Sequence, residues 1–291
     1  MDFALAVDYK DNATLRHSFN ELARTVFKFD LEAWYSKGYW TDMYVCHTLM
    51  DGTRAASNVS VAKQAFLVQG ELKQALQIGT VMTHPDYRGL GLAGRLMDHV
   101  IERYSNDYDF MFLVANKNVL EFYPRYGFTR IGMNTFTYFP ISQNGVPASM
   151  RHLSPANSDD LAIIERLARD RSPVSPVLAP QRDWSLLMFH LTGPYAGNIY
   201  YLPENDALIV MTIENSVAEI FDIISPLTIS QAAIISSVLP PYVDKVQLHF
   251  TPDVSLPDIV TSEWETEDGL FIRPATFSLP TPFCFSPLSQ S

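Results

Sequence analysis

Apolar and polar residues alternate along the first half of this chain with two distinct periods, and the switches between them outline a succession of strands and helices. Residues 3–7 read as a short strand. Leu15, Phe19, Leu22 and Val26 then recur every three or four positions, which predicts a helix opening at Asp11-Asn12-Ala13-Thr14. A second, shorter helix is expected over 30–36. The runs 44–50 and 54–68 flank Asp51-Gly52, a strong hairpin signal, and Gln69-Gly70 leads into a third run over 72–83. Three consecutive antiparallel strands follow from that pattern. Helical spacing returns at Leu92, Leu96, Val100, Ile101 and Tyr104. The apolar run 110–115 predicts a buried strand, 118–126 a short helix closed by Gly127, and 128–139 a final strand.

The stretch 140–148 is polar and contains Gly and Pro, which suits a linker. After it the order of elements recurs. A strand begins at His152-Leu153. The run 158–169 carries Leu161, Ile164, Leu167 and Ala168 on one helical face, and 184–191 predicts a second helix. Strands are expected over 198–202, 207–213 and 217–224, then a helix over 229–238 and a strand over 245–250. The fold class expected is therefore mixed α/β, with α+β character in its sheet. Two units are expected, 1–141 and 149–291, the second a smaller, degenerate copy of the first.

Composition narrows the function only a little. Of 291 residues, 47% are apolar and 18% charged, an ordinary globular balance. The formal charge of −11 argues against a nucleic-acid partner and is compatible with a cationic small molecule or basic peptide. No stretch has the length needed to span a bilayer, so no membrane partner is expected. Met1-Asp2-Phe3-Ala4 carries no basic region followed by an apolar run, so no secretory signal is expected. Cys46 and Cys284 belong to no metal-ligand or disulfide spacing; the expectation is a cytoplasmic protein without a metal.

The segment with most chemical content is 81–94, Val-Met-Thr-His-Pro-Asp-Tyr-Arg-Gly-Leu-Gly-Leu-Ala-Gly. A strand ends near Thr83, a loop follows, and glycines open a helix. Free amides at a helix start bind phosphate oxygens, helped by the helix dipole, and glycine lets the backbone come close. Gly89-x-Gly91-x-x-Gly94 matches the dinucleotide fingerprint, but its context fails. His84 to Arg88 separate the strand from the first glycine, Val114, Ala115 and Asn116 stand where an acidic residue belongs, and the preceding strands are hairpins.

The alternative pattern, Arg88-x-x-Gly91-x-Ala93, resembles the pyrophosphate-binding loop of the GNAT superfamily of N-acetyltransferases. Downstream, Asn116 stands seven residues before Tyr123, followed by Gly127-Phe128, and this segment resembles the second coenzyme A motif of that family. A helix and a strand separate the two motifs, as the family requires. The resemblance covers the first half closely and the second as a loose echo.

The resemblance implies the GNAT acyltransferase fold, acetyl-coenzyme A as cosubstrate, and a set of positions. Arg88, Gly89, Leu90, Gly91, Leu92, Ala93, Gly94 and Arg95 would hold the pyrophosphate. Met82 and Thr83 would offer backbone hydrogen bonds to the pantetheine arm, lying between two splayed strands. Asn116 would stand beside the cofactor, although a helix cap or Asx turn explains it too. Tyr123 would protonate the departing thiolate; aromatic packing beside Phe122, Tyr126 and Phe128 is the other reading of it. At the strand position where some members carry a glutamate base this chain has Gln77, and none of His84, His47, Asp86 or Asp42 is singled out. Phe29, Trp34, Tyr35, Tyr39, Trp40 and Tyr44 could roof a cationic acceptor or simply form core.

The second half lacks the cradle: Ile224-Ser225-Pro226-Leu227-Thr228-Ile229-Ser230 holds no glycine and no arginine. It is expected to bind no coenzyme A, and either to wall the acceptor pocket or to make a homodimer contact. Tandem GNAT proteins with one degenerate copy, the enhanced-intracellular-survival aminoglycoside acetyltransferases among them, show the same arrangement, though this chain is short for their three-domain form. The aromatic, Pro-rich stretch 280–291 is read as a segment covering the first unit. The activity expected is acetyl transfer to the primary amine of a small molecule. A protein or peptide N-acetyltransferase and a non-catalytic acyl-coenzyme A sensor are the other readings.

Overall fold

The computed structural model describes residues 2–140, 148–253, 256 and 258–291. In chain order the elements are β1 (Ala4–Val7), α1 (Ala13–Phe27), α2 (Glu32–Ser36), β2 (Tyr44–Asp51), β3 (Arg54–Val68), β4 (Glu71–Thr83), α3 (Leu92–Tyr104), β5 (Phe110–Ala115), β6 (Thr129–Ile131) and β7 (Asn134–Tyr138). They continue with β8 (Arg151–His152), α4 (Ser158–Arg169), β9 (Leu178–Gln181), α5 (Trp184–Thr192), β10 (Ile199–Leu202), β11 (Ala207–Glu214) and β12 (Val217–Ile224). The last are α6 (Gln231–Val238), β13 (Lys245–Leu248), β14 (Val260–Glu263) and β15 (Gly269–Arg273). The linker expected at 140–148 lies mostly outside the described residues.

Local chemistry accounts for the helix starts. Asn12 accepts from the Thr14 and Leu15 amides, and Asn157 from those of Asp159 and Asp160, each satisfying two of the donors that a first turn leaves open. Lys28 ends α1 in the left-handed conformation at φ 65°. The two hairpins turn as expected at Gly52 and Gly70, both at positive φ.

Two sheets form. One runs β1-β2-β3-β4-β5-β15-β6, with β9 pairing β3; the other runs β14-β7-β13-β12-β11-β10-β8. The second repeats the pattern of the first. β3, β4 and β5 are matched by β11, β12 and β13, with an antiparallel pair, then a parallel pair across a helix. In each sheet the strand after the parallel pair comes from the other half of the sequence. β15 pairs antiparallel with β5, and β7 with β13.

The sequence reading differs from this in identifiable ways. The single strand expected at 128–139 is two strands in two sheets: β6 pairs β15, and β7 pairs β13 and β14. Alternation of apolar residues reports a half-buried strand but not which sheet it joins. The helix expected at 118–126 is two 3-10 turns, Lys117–Val119 and Tyr123–Tyr126, because Pro124 and Gly127 leave no room for a full α-turn. β9, β14 and β15 carry too short a pattern to be seen.

The halves share core. Phe19, Leu22, Trp34 and Trp40 pack with Ile164, Leu187 and Leu191 in one buried cluster. The Trp34 indole N–H donates to the Ser185 carbonyl at 2.9 Å, and the Ser185 hydroxyl to the Tyr39 carbonyl at 2.6 Å. Deeper in the second half, Arg171 bridges Asp183 and Asp222, all three buried. Burial on this scale is worth about 1.5–3 kcal/mol for each large apolar side chain.

Two buried histidines tie stability to pH. Burial lowers the His47 pKa from 6.5 to about 3 and that of His190 to about 4. The unfolded chain takes up both protons near pH 6.5 and the folded chain does not. Stability is therefore complete above that pH and declines as pH falls toward 4, by up to about 1.4 kcal/mol per unit per histidine. Urea unfolding between pH 7 and 4 should show this slope, and His47→Gln should reduce it to the His190 share.

Candidate active site

The site begins with a defect in β4. Ser60 pairs with Gly79 and Asn58 with Met82, so Val59 alone faces both Thr80 and Val81. This is a β-bulge, and Thr80 takes φ 40°, a backbone conformation that a branched residue adopts only when it is held there. A buried polar network holds it. The Asn58 amide donates to the Thr80 carbonyl (3.0 Å) and hydroxyl (3.1 Å) and to Ser60 Oγ (2.9 Å). Asn58 Oδ1 accepts from Thr48 (2.7 Å), whose hydroxyl also meets Tyr9, and the Tyr44 hydroxyl pairs with Thr80 Oγ1 at 3.0 Å.

The bulge bends β4 away from β5. Their parallel ladder stops after Ala75–Phe110, Leu76–Met111 and Gln77–Phe112. β5 cannot follow, because β15 pairs its other edge from Met111 to Ala115. The two strands therefore part, and a cavity of about 780 Å³ opens between them. Ile78 to Thr83 line one wall, Val114, Ala115 and Asn116 the other, and Phe122, Tyr123, Phe27 and Phe29 close its sides.

The loop 84–91 continues β4 beyond the cavity. His84 caps a 3-10 turn over Pro85–Tyr87, and Tyr87 is pinned by Asp51 (2.7 Å) and stacked edge-on against Phe3. Gly89 and Gly91 follow at φ +81° and +70°, with open space where a Cβ would stand, so it is the backbone turn that requires glycine there. Gly91 occupies the cap position of α3 and offers no side-chain acceptor. The first intrahelical bond is Arg95 N–H to the Gly91 carbonyl, which leaves the Leu92, Ala93 and Gly94 amides free at the positive end of the helix dipole.

The residues singled out in the sequence fall into three groups. Met82, Thr83, Arg88, Ala93, Asn116 and Tyr123 line the cavity. Gly89, Leu90, Gly91, Gly94 and Arg95 belong to the loop and first helical turn beside it, where Arg88 and Arg95 are exposed. Leu92 sends its side chain into the core below. Gly94 has a structural task as well: a Cβ would stand 2.6 Å from the Tyr126 hydroxyl. Asn116 does cap the following turn, accepting from the Asn118 amide at 3.0 Å, while it lines the cavity.

Tyr123 packs against Phe122, Phe128 and Phe271 with its ring centroids 5.2–6.4 Å from theirs. Burial pushes its phenol up to about 12. It is thus a proton donor at neutral pH and not a base. Its hydroxyl has no hydrogen-bond partner among the described residues, while the residue lines the cavity.

Of the two readings of the aromatics, core packing holds for four, and the titratable groups that the sequence did not single out stand away from the cavity. Trp34, Tyr39, Trp40 and Tyr44 do not roof the cavity; they are 2–5% exposed and form the core between the halves. Of the six aromatics considered, Phe29 alone reaches the cavity, beside Phe27, on which it stacks. None of the nearby titratable groups reaches it either. His47 is enclosed between Tyr104 and His99, and His84 is engaged with Arg54. Asp86 pairs with Arg54, and Asp42 with Lys10. Gln77 is buried under the cavity, accepting from Gln64 and from the Ser291 amide.

Among the lining residues that sequence reasoning did not single out, Asp268 and Ser291 are supplied by the second half. Asp268 accepts from the Lys117 amide at 3.1 Å. The 280–291 stretch carried a signal in its aromatics: Phe285 stacks on Phe112 at 4.9 Å and brings the following residues under β4.

Residues 12–131 match the profile of an acetyltransferase (GNAT) domain, and this stretch contains the bulge, the splayed strands, the glycine loop and Tyr123. The chain thus carries a GNAT acetyltransferase domain over 12–131. Solved structures extend the likeness of fold to the whole chain. A conserved Enterococcus faecalis protein described as a probable N-acyltransferase superposes with a TM-score of 0.59 at 14% identity, covering 94% of this chain and 73% of its own. Eis1 from Mycobacterium abscessus gives 0.59 at 14% identity over 93% and 73%. A GCN5-related N-acetyltransferase from Kribbella flavida gives 0.51 at 13% over 93% and 71%. No curated protein is significantly similar in sequence.

GNAT enzymes draw on an acyl-coenzyme A, and the residues present suit one. The unbonded amides at the start of α3, with Arg88 and Arg95 exposed beside them, have the chemistry to take a pyrophosphate, and the unpaired strand edges along the gap could take an extended arm. Among the described residues no cluster of His, Cys, Asp and Glu could hold a metal ion, and no helix is long and apolar enough to cross a membrane.

The bulge network gives a direct test. Asn58→Leu strands the Thr80 carbonyl in the core, leaves the Thr48 hydroxyl with Tyr9 alone and releases the strained turn. It should destabilise the protein by about 2–4 kcal/mol in urea unfolding.

Proposed function

We propose that this GNAT enzyme transfers an acetyl group from acetyl-coenzyme A to the primary amine of a small molecule. The observation that carries this reading is the single cavity joining the glycine loop to the Tyr123 phenol along the gap between β4 and β5. Bound there, acetyl-coenzyme A supplies an acetyl thioester as electrophile.

The chain's own residues then have separable tasks. The amides from Gly89 to Gly94 bind the pyrophosphate oxygens, and Arg88 and Arg95 add positive charge beside them. Exposed edges of Met82 and Thr83 on one side and Ala115 and Asn116 on the other direct the arm into the gap. Tyr123, protonated because it is buried, gives its proton to the sulfur as the thiolate leaves. Asp268 is the one side-chain carboxylate lining the cavity among the described residues, and its Oδ1 is already engaged by Lys117 N–H. The acceptor amine is therefore expected to lose its proton to water before it attacks.

The presence of Asp268 and Ser291 in the lining supports a small acceptor, since residues from both halves bound the cavity. The second sheet is read as a degenerate copy that binds no coenzyme A, because the segment before α6 has no glycine and spends its one cap, Ser230, on the Ala233 amide.

Calorimetric titration with acetyl-coenzyme A should give one site, and Gly91→Glu should abolish it by placing an anion in the cradle. The open space at Gly91 means that this variant still folds, at a backbone strain of about 1–2 kcal/mol. Failure of the wild type to bind would overturn the reading.

Tyr123→Phe should lower turnover about 10²-fold or more with little change in that affinity. An equal loss of binding would make Tyr123 a packing residue only.

The pH–rate profile should rise with the free-amine fraction of the acceptor. It should show no Tyr123-dependent fall until pH approaches about 12.

A further inference from the structure

Gly79 is not glycine for the sake of its backbone, which stays outside the left-handed region, nor for a turn. It is glycine because a Cβ there would run into the Ser291 hydroxyl, with Ser291 Cβ at 3.3 Å. The position matters. Gln77 is the last residue of β4 still paired with β5, so Gly79 stands at the narrow end of the gap. The glycine loop stands at the other end, and the four steps from Gly79 to Thr83 span about 13 Å of strand.

Ser291 does not rest there loosely. Its amide donates to Gln77 Oε1 at 2.9 Å, and Gln64 Nε2 donates to the Ser289 carbonyl at 3.2 Å. His190 Nε2 donates to the Gln290 carbonyl at 2.7 Å. Phe285, stacked on Phe112, anchors the approach. Bonds from β3, β4 and α5 thus fix the segment, and Ser291 with Gly79 closes the gap.

We propose that Gly79 and Ser291 are the end wall of the acyl site and set the length of the acyl group that it accepts, favouring acetyl over longer chains. The inference rests on the reading of this cavity as an acyl-coenzyme A site. A ligand whose phosphates lie on the amides of 89–94 and whose arm follows the gap points its far end at this wall. Each added methylene must then displace a segment held by three hydrogen bonds. Neither residue takes part in bond making; both act on which thioester fits.

The test is calorimetric binding of free coenzyme A and its acetyl, butyryl and hexanoyl thioesters to the full chain. Wild type should bind coenzyme A and acetyl-coenzyme A, and affinity should fall at least about tenfold by hexanoyl. Ser291→Gly should remove most of that fall. Gly79→Ala should steepen it, and Gly79→Ala combined with Ser291→Gly should return the wild-type profile, which a merely misfolded variant would not do. Binding of free coenzyme A with no dependence on acyl length, or an unchanged profile in Ser291→Gly, would overturn the end wall and leave the cofactor reading standing. No binding of free coenzyme A would overturn both.

Discussion

The left-handed turn at Thr80 is the constraint on which the rest of the site depends. A branched residue in that conformation is unstable by itself, and the protein offsets it with a group of hydroxyls and one amide buried under the sheet. Because Thr80 is held, β4 must bend; because β4 bends, its hydrogen-bonding edge is left without a partner over Ile78 to Thr83. A sheet that was regular here would close the gap and have no cavity. The same network explains why the polar residues Asn58 and Ser60 stand fully buried in the middle of β3, where a regular strand would carry Val or Ile.

The opposing wall depends on the second half. β5 keeps its place because β15 pairs its far edge, and β15 arrives from a stretch of chain more than 150 residues away. Asp268 immediately precedes that strand and reaches the cavity with it. The segment 283–291 follows the same route and ends under β4. A half of the sequence that carries none of the glycine loop is thus a structural requirement for the site, through the pairing of β15 with β5 and through the shared aromatic core around Trp34 and Leu187.

Much of this was legible in the sequence. The hairpins at Gly52 and Gly70, the helices of both halves and the glycine loop each have local causes, and local causes are what spacing and turn residues report. The residues from Met82 to Tyr123 that line the cavity were legible for the same reason, since they sit on consecutive elements. What was not legible is whatever pairing over long range decides. The alternation over 128–139 is real, but it serves two sheets. The aromatics from Trp34 to Tyr44 look alike whether they face a ligand or a neighbouring helix, and α4 and α5 decide the matter. Asp268 and Ser291 carry no motif; their place follows only from the partner of β5.

The exchange of β7 and β15 between the sheets has a consequence for how the chain is made. When residue 131 has left the ribosome the glycine loop and Tyr123 have been synthesised, yet β5 still has a bare edge, and β6 has nothing to pair with until β15 appears. The second sheet is in the reverse position, since β7 is made early and waits for β13. An unpaired strand edge invites pairing with a neighbouring chain, and distant pairings are slow to form. Biogenesis of this enzyme is therefore bound to late, nearly whole-chain assembly, and crowded translation of its own message is a hazard that a simple tandem of self-contained units would not face.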